Sequence, residues 1–378
     1  MTTGLPHDSV RAAWTALRTE TPMLHLDTAA CGRTSVATRA AVTAHLELEA
    51  ELGGYVAEAE VEPETTTARR LLGELLHFDT DEVALLDSGS AAGAQLLAAW
   101  PCQPGDQVWI APSEWGNNIA AFTDRGLEVV VLDVDDHGRI DLDALRRRLR
   151  TERPNMVHLN AFNSHRALAQ PSTEIIESCA AADVPVVIDT AQALGHIEVP
   201  AGAAAVYGTG RKYMCGPRGV GYVAVREPWQ QRLTPRAPAM NLGGQAVRNL
   251  ESREAYVAGR VGLATALRQY VEIGPAQIRE RLGAIGRALR EGLADLPGWS
   301  LGDPVDAPGS IVALLPHEEI DLYQLKADLV ARKMITTVSA KERAPLDMVR
   351  PMLRLSPHVD FELTWIPRIR ELLTARYS

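Results

Sequence analysis

The chain has 378 residues, 46% of them hydrophobic, and a net charge of −10. That length exceeds what one compact core usually serves, so two domains are expected. The acidic balance gives no bulk attraction for phosphate backbones, which sets nucleic acid aside as a partner. Four cysteines, Cys31, Cys102, Cys179 and Cys215, are far apart and form no CxxC pair, as expected of free thiols in a reducing compartment. No metal is expected. No eighteen-residue apolar run offers a membrane span, and MTTGLPHDSVRAAW lacks the basic and then apolar regions of a secretory leader. The expected location is the cytoplasm.

In chain order, short β-branched runs read as strands at 82–86 (EVALL), 107–111 (QVWIA), 128–132 (EVVVL), 156–160 (MVHLN), 184–189 (VPVVID), 204–208 (AAVYG) and 220–225 (VGYVAV). Several are apolar at consecutive positions, as strands covered on both faces are. Helical patterns lie between many of them, at 90–100, 141–151 and 172–182. Strand–helix alternation of this kind predicts a largely parallel α/β sheet. Residues 235–245, rich in Pro, Ala and Gly, read as a loop. Beyond 250 the pattern changes to a long helix (251–271) stopped by Gly274-Pro275. A second helix carries Ile278, Leu282, Ile285, Leu289, Leu293 and Leu296 as a core stripe. Then come a strand (310–315), a helix (320–333), strands at 334–338 and 352–356, and a last helix (360–375). The expected division is an N-terminal helix within 1–20 packing on the small domain, a large domain over 21–250, and a smaller α+β domain over 251–378.

Ligands of open α/β sheets sit beyond the carboxyl ends of the strands, so the residues following each strand matter most. Asp189 closes VPVVID and fits either a helix cap or an acid that keeps a bound heterocycle protonated. Lys212 lies between a short apolar strand and a Gly-Pro-x-Gly turn. It is either a surface lysine or an amine positioned for imine chemistry. Ser88, Gly89, Ser90 and Ala91 open a helix after a strand, where backbone N–H groups can cradle a phosphate. Trp115 follows a strand as core or as a stacking surface. Arg354, on a late strand, is a solvated edge residue or a bidentate carboxylate clamp. A dinucleotide fingerprint fails: Gly208 and Gly210 would need a glycine at Tyr213, and Gly219 and Gly221 lie at a strand rather than before a helix.

Taken together, six segments in order resemble the aminotransferase class V family. They are LHLDTAACG (from Leu24), LDSGSAAGAQ (86–95), SEWGNN (113–118), VVIDTAQALGH (186–196), GTGRKYMCGPRGVG (208–221) and LRLSPH (353–358). The resemblance implies the type I fold of pyridoxal 5′-phosphate enzymes: a mostly parallel sheet with helices on both faces and a smaller α+β domain. It implies Lys212 as the imine lysine, Asp189 on the pyridine nitrogen, Gln192 on the ring's 3′-oxygen and Trp115 stacked on the ring. Ser88, Gly89, Ser90, Ala91, Thr209 and Arg211 are implied around the phosphate, and Ala29, Ser164 and Arg354 at the substrate. A homodimer is implied as well. Within the class the likeness is to carbon–sulfur β-lyases acting on an amino-acid sulfoxide, which release pyruvate and ammonia and need a thiol reductant. Transamination, epimerisation and desulfuration are the alternatives, as is a fold retained only for binding. Several positions depart from the class. Ala91-Ala92 replace a Thr-Glu pair, Arg211 replaces a histidine, and His165-Arg166 stand in the substrate loop NAFNSHRALAQP (160–171). No cysteine occurs over 332–353, where desulfurases carry their nucleophile.

Overall fold

The computed structural model describes residues 5–234, 246–252 and 254–375. The expected loop at 235–245 lies outside the described residues. From the N-terminus, α1 (Asp8–Ala16) and β1 (Leu24–His25) lead into three helices that the sequence reading passed over: α2 (Val36–Leu52), α3 (Gly54–Glu60) and α4 (Glu62–Leu76). Strand–helix alternation follows with β2 (Val83–Leu86), α5 (Gly89–Ala99), β3 (Gln107–Ile110), α6 (Gly116–Asp124), β4 (Glu128–Val131) and α7 (Leu142–Arg148). Next come β5 (Met156–Asn160), α8 (Ser172–Ala180), β6 (Val186–Asp189), β7 (Ala205–Thr209), β8 (Gly221–Val225) and the short α9 (Glu227–Gln230). The rest comprises α10 (Val257–Ile273), α11 (Pro275–Leu293), β9 (Trp299–Leu301), β10 (Val312–Pro316), α12 (Leu322–Ala331), β11 (Met334–Ile335), β12 (Thr337–Ser339), β13 (Met352–Leu355) and α13 (Ile366–Thr374).

The central sheet has the order β2-β8-β7-β6-β5-β3-β4. Pairs from β4 through β7 are parallel, and β8 runs antiparallel to both its neighbours. Each of the seven expected strands of the first part of the chain is in this sheet. Strands β5 to β8 are buried at every position, which is why their sequences are apolar without alternation. Alternate residues nevertheless feed two separate cores. Leu85, Trp109, Val157, Ile188 and Val206 point into one, and Ala84, Val108, Met156, Val187 and Ala205 into the other. A third core lies under the antiparallel sheet β12-β13-β10-β9 and takes Leu289 and Leu293 of the α11 stripe.

Three expectations from the late sequence need correction. The helix expected over 251–271 begins at Val257, after a 3-10 turn at Ala246–Leu250. Glu251 is not helical because its buried carboxylate is used elsewhere: it accepts from the Leu85 amide (3.0 Å) and pairs with Arg69 (3.2 Å), Arg248 (3.0 Å) and Arg260 (3.0 Å). The strand expected over 334–338 is two strands, β11 beside β1 and β12 beside β13. The last helix starts at Ile366 after a 3-10 turn at Leu363–Trp365. Helix α1 stacks Trp14 on His358 with ring centroids 4.2 Å apart, and α10 packs on α2 and α4. Among the described residues no helix is long and apolar enough to cross a membrane.

Candidate active site

A cavity of about 220 Å³ lies at the carboxyl ends of β5, β6 and β7. The strand order reverses between β3 and β5, and in such sheets that crevice is where ligands settle. Asn160 closes β5 there, and its Oδ1 accepts from the Trp115 backbone amide (3.1 Å) across the crevice. Of the expected site residues, Ala29, Ser88, Gly89, Ser90, Trp115, Ser164, Asp189, Gln192, Thr209, Arg211 and Lys212 all line the cavity. Ala91 and Arg354 do not. The Ala91 amide donates to the Ser88 hydroxyl (3.0 Å), which makes Ser88 the N-cap of α5. Arg354 is fully buried beside the cavity, donating to the Ser164 carbonyl (2.5 Å) and to Asp27 Oδ1 (3.0 Å). Its Nε is buried without a partner.

Local packing explains how three distant segments meet. A Cβ on Gly221 would fall 2.2 Å from the Ser88 carbonyl carbon, so only glycine lets β8 lie against the start of α5. That contact sets the positive end of the α5 dipole against the turn carrying Thr209 and Arg211. Behind Asp189 lies a buried polar layer. Asp189 Oδ1 accepts from the Ala191 amide (2.8 Å), and Asn118 reaches both Asp189 Oδ2 (3.4 Å) and Glu114 Oε1 (2.8 Å). Glu114 pairs with His158 (2.9 Å), whose other ring nitrogen meets the Tyr207 hydroxyl (3.0 Å).

Charge in the cavity is poised. Burial pushes the Lys212 ammonium down to about 7; Asp189 opposes this, while Arg211, Arg354 and Arg343 repel the charge further. Burial raises the Asp189 carboxyl, and Lys212 partly offsets that. No ion pair within 4 Å joins the two among the described residues, so each is available to a group placed between or beside them.

The residues fit pyridoxal 5′-phosphate. An acid that burial makes reluctant to ionise is stabilised by a protonated ring nitrogen. Trp115 offers an indole face, and the amides and hydroxyls at the start of α5, with Thr209 and Arg211, offer a phosphate cradle. Gln192 donates to the Ala29 carbonyl (3.1 Å), and its Oε1 is buried without a partner at the cavity wall. The sequence reading missed Asn160, Tyr207 and Arg343, which also line the cavity, and the Glu114–His158 pair. Glu114 was visible inside SEWGNN. Asn160 was visible at the end of MVHLN, whereas the others carry no local signal, because His158 and Tyr207 sit within apolar strands and Arg343 in a 3-10 turn at Lys341–Arg343.

The aminotransferase class V pattern matches residues 25–339. A protein of Mycobacterium tuberculosis (strain CDC 1551 / Oshkosh) described as a probable hercynylcysteine sulfoxide lyase is 37% identical over 97% of this chain and 94% of its own. A cysteine desulfurase of Dickeya dadantii is 25% identical over 81% of each chain. Among solved structures, the Escherichia coli cysteine desulfurase CsdA superposes with a TM-score of 0.85 at 18% identity, covering 97% of this chain and 98% of that one. A cystine C–S lyase in complex with cysteine persulfide gives 0.82 at 17% identity over 93% and 97%. With the lysine, the buried acid and the phosphate cradle converging on one cavity, the chain belongs to the aminotransferase class V family and is a pyridoxal 5′-phosphate-dependent carbon–sulfur lyase.

Proposed function

We propose that this enzyme cleaves the Cβ–S bond of hercynylcysteine sulfoxide. The sulfur leaves as a sulfenate, which a thiol reductant converts to ergothioneine, and the three-carbon remainder hydrolyses to pyruvate and ammonia. The observation that carries this reading is the 37% identity, over nearly the whole chain, to the mycobacterial relative of that description. The absence of a cysteine over 332–353 supports it against desulfuration. We further propose that the protein works in the cytoplasm as a homodimer.

When bound, pyridoxal phosphate supplies an electron sink for the carbanion at the substrate's Cα. Asp189 would hold the proton at the ring nitrogen, and Asn118 and the Ala191 amide hold Asp189. Trp115 would cover the ring, and Gln192 would meet its 3′-oxygen. Ser88, Gly89, Ser90, Thr209 and Arg211 would hold the phosphate. Lys212 would hold the coenzyme and would serve as the base for the Cα proton, a role that the lowering of its ammonium to about 7 by burial favours. Arg354, held by Asp27 and Ser164, steers the α-carboxylate. Ala29 and Ser164 border the substrate.

The test is incubation of the purified holoenzyme with hercynylcysteine sulfoxide and dithiothreitol. Equimolar ergothioneine and pyruvate are expected with no amino acceptor present, from a particle of two chains by sedimentation. Lys212→Ala is expected to abolish turnover. Alanine as product, a requirement for an amino acceptor, or undiminished turnover in Lys212→Ala overturns the reading.

A further inference from the structure

We propose that Arg343 binds the sulfoxide oxygen of the substrate and neutralises the sulfenate as the C–S bond breaks. The inference rests on the lyase reading above and adds to it the residue that selects a sulfoxide over a thioether. Arg343 lines the same cavity as Lys212, Trp115 and Ser164. Its Nε is buried with no partner, and no ion pair within 4 Å joins its guanidinium to an acid among the described residues. The nearby carboxylate is already engaged: Asp27 accepts from Arg354 (3.0 Å) and from the Thr337 hydroxyl (3.1 Å). Burial and the repulsion of Arg354 push Arg343 down to about 10, with Asp27 opposing, so the group remains a cation at neutral pH. A half-buried cation in the cavity wall, its Nε shielded from water and no acid paired with it, is placed to meet a ligand that brings negative charge.

The segment that carries Arg343 is fixed. A Cβ on Gly116 would fall 2.1 Å from the Glu342 carbonyl oxygen, so the 341–343 turn presses on the start of α6, next to Trp115. Four residues beyond Arg343, Asp347 is gripped by His165 (2.6 Å) and by both ends of the Arg166 fork (2.9 Å each). Arg343 also lies within 332–353, a segment that holds this cation and no thiol. In the lyase reading Arg354 is assigned to the α-carboxylate and Arg211 to the phosphate, which leaves Arg343, the other arginine lining the cavity, for the sulfur-bound oxygen. On cleavage the electron pair of the Cα–H bond forms the Cα=Cβ double bond, the Cβ–S pair departs with sulfur, Lys212 retains the proton from Cα, and negative charge gathers on the sulfenate oxygen. No oxidant or reductant is consumed in this step. A preorganised guanidinium aimed at that oxygen acts where charge develops.

The test compares the holoenzyme with Arg343→Gln and Arg343→Lys on two substrates, hercynylcysteine sulfoxide and the corresponding thioether. Melting curves and visible absorbance confirm folding and coenzyme content. Arg343→Gln is expected to lose about 100-fold in kcat/KM on the sulfoxide and little on the thioether, with Arg343→Lys between. A readout without turnover comes from calorimetry in a Lys212→Ala background. There, Arg343→Gln is expected to weaken sulfoxide binding about 10-fold and leave thioether binding unchanged. Equal losses on both substrates, or no loss, overturn this inference alone. Wild-type enzyme that cleaves neither substrate overturns the lyase reading, and this inference with it.

Discussion

The proposed role of Lys212 makes two demands that conflict in water: it must be a neutral amine to attack or to accept a proton, yet an exposed lysine stays protonated to about pH 10. The cavity resolves the conflict by burial, which drives the ammonium down to about 7, and by three nearby guanidinia that repel the charge. The sign is therefore fixed: the fraction of free amine rises with pH through about 7 instead of about 10. Labelling of the apoprotein with an amine-directed reagent, followed by peptide mass spectrometry across pH 5–11, is expected to place the Lys212 midpoint about three units below the ordinary range of solvent-exposed lysines. A midpoint shared with the surface lysines would show the amine to be solvated. Asp189 is governed by the same physics with the opposite sign. Its place at the end of an apolar strand was legible in VPVVID, whereas its contact with Asn118 was not, because the two belong to different elements.

At the scale of elements, the loop 160–171 and the segment 341–348 are joined through one carboxylate. Burial alone raises the Asp347 carboxyl, but its bonds to His165 and Arg166 outweigh burial and hold it below the ordinary 3.8. A depressed carboxyl stabilises the folded state above its unfolded value and loses that contribution as pH falls through its folded one. Asp347→Asn is therefore expected to unfold at lower urea than wild type at pH 7, with the gap closing below about pH 3.8. A gap of equal size at all pH values would contradict the clamp. The unusual His165-Arg166 pair was visible in the substrate loop, but its partner, some 180 positions away, had no signature of its own. Asp303 ties the same loop to the small sheet, accepting from the Ala167 amide (2.6 Å) and the Ala313 amide (2.7 Å).

Across the whole molecule, Glu251 shows why periodicity misjudged a helix. Its carboxylate bridges Arg69 of α4, Arg260 of α10 and the backbone of β2, and so fastens the sheet's edge to two helices. Removing one partner of a buried ionic cluster leaves the others uncompensated, so Glu251→Ala is expected to cost about 3–5 kcal/mol in chemical denaturation. A loss under about 1 kcal/mol would place the cluster in effective contact with water. The sequence alone determined the seven strands, because most are buried on both faces and so apolar in nearly unbroken runs, and it pointed to residues at their carboxyl ends that line one cavity, because a strand-to-helix turn is a local event. What only the tertiary structure decided was how distant segments share charge: Glu251 inside an arginine cluster, Arg354 already held by Asp27, and Arg343 in the cavity wall without a counterion. Local patterns record what a residue's neighbours in the chain require of it, while electrostatic partnership depends on distances that only the folded chain sets.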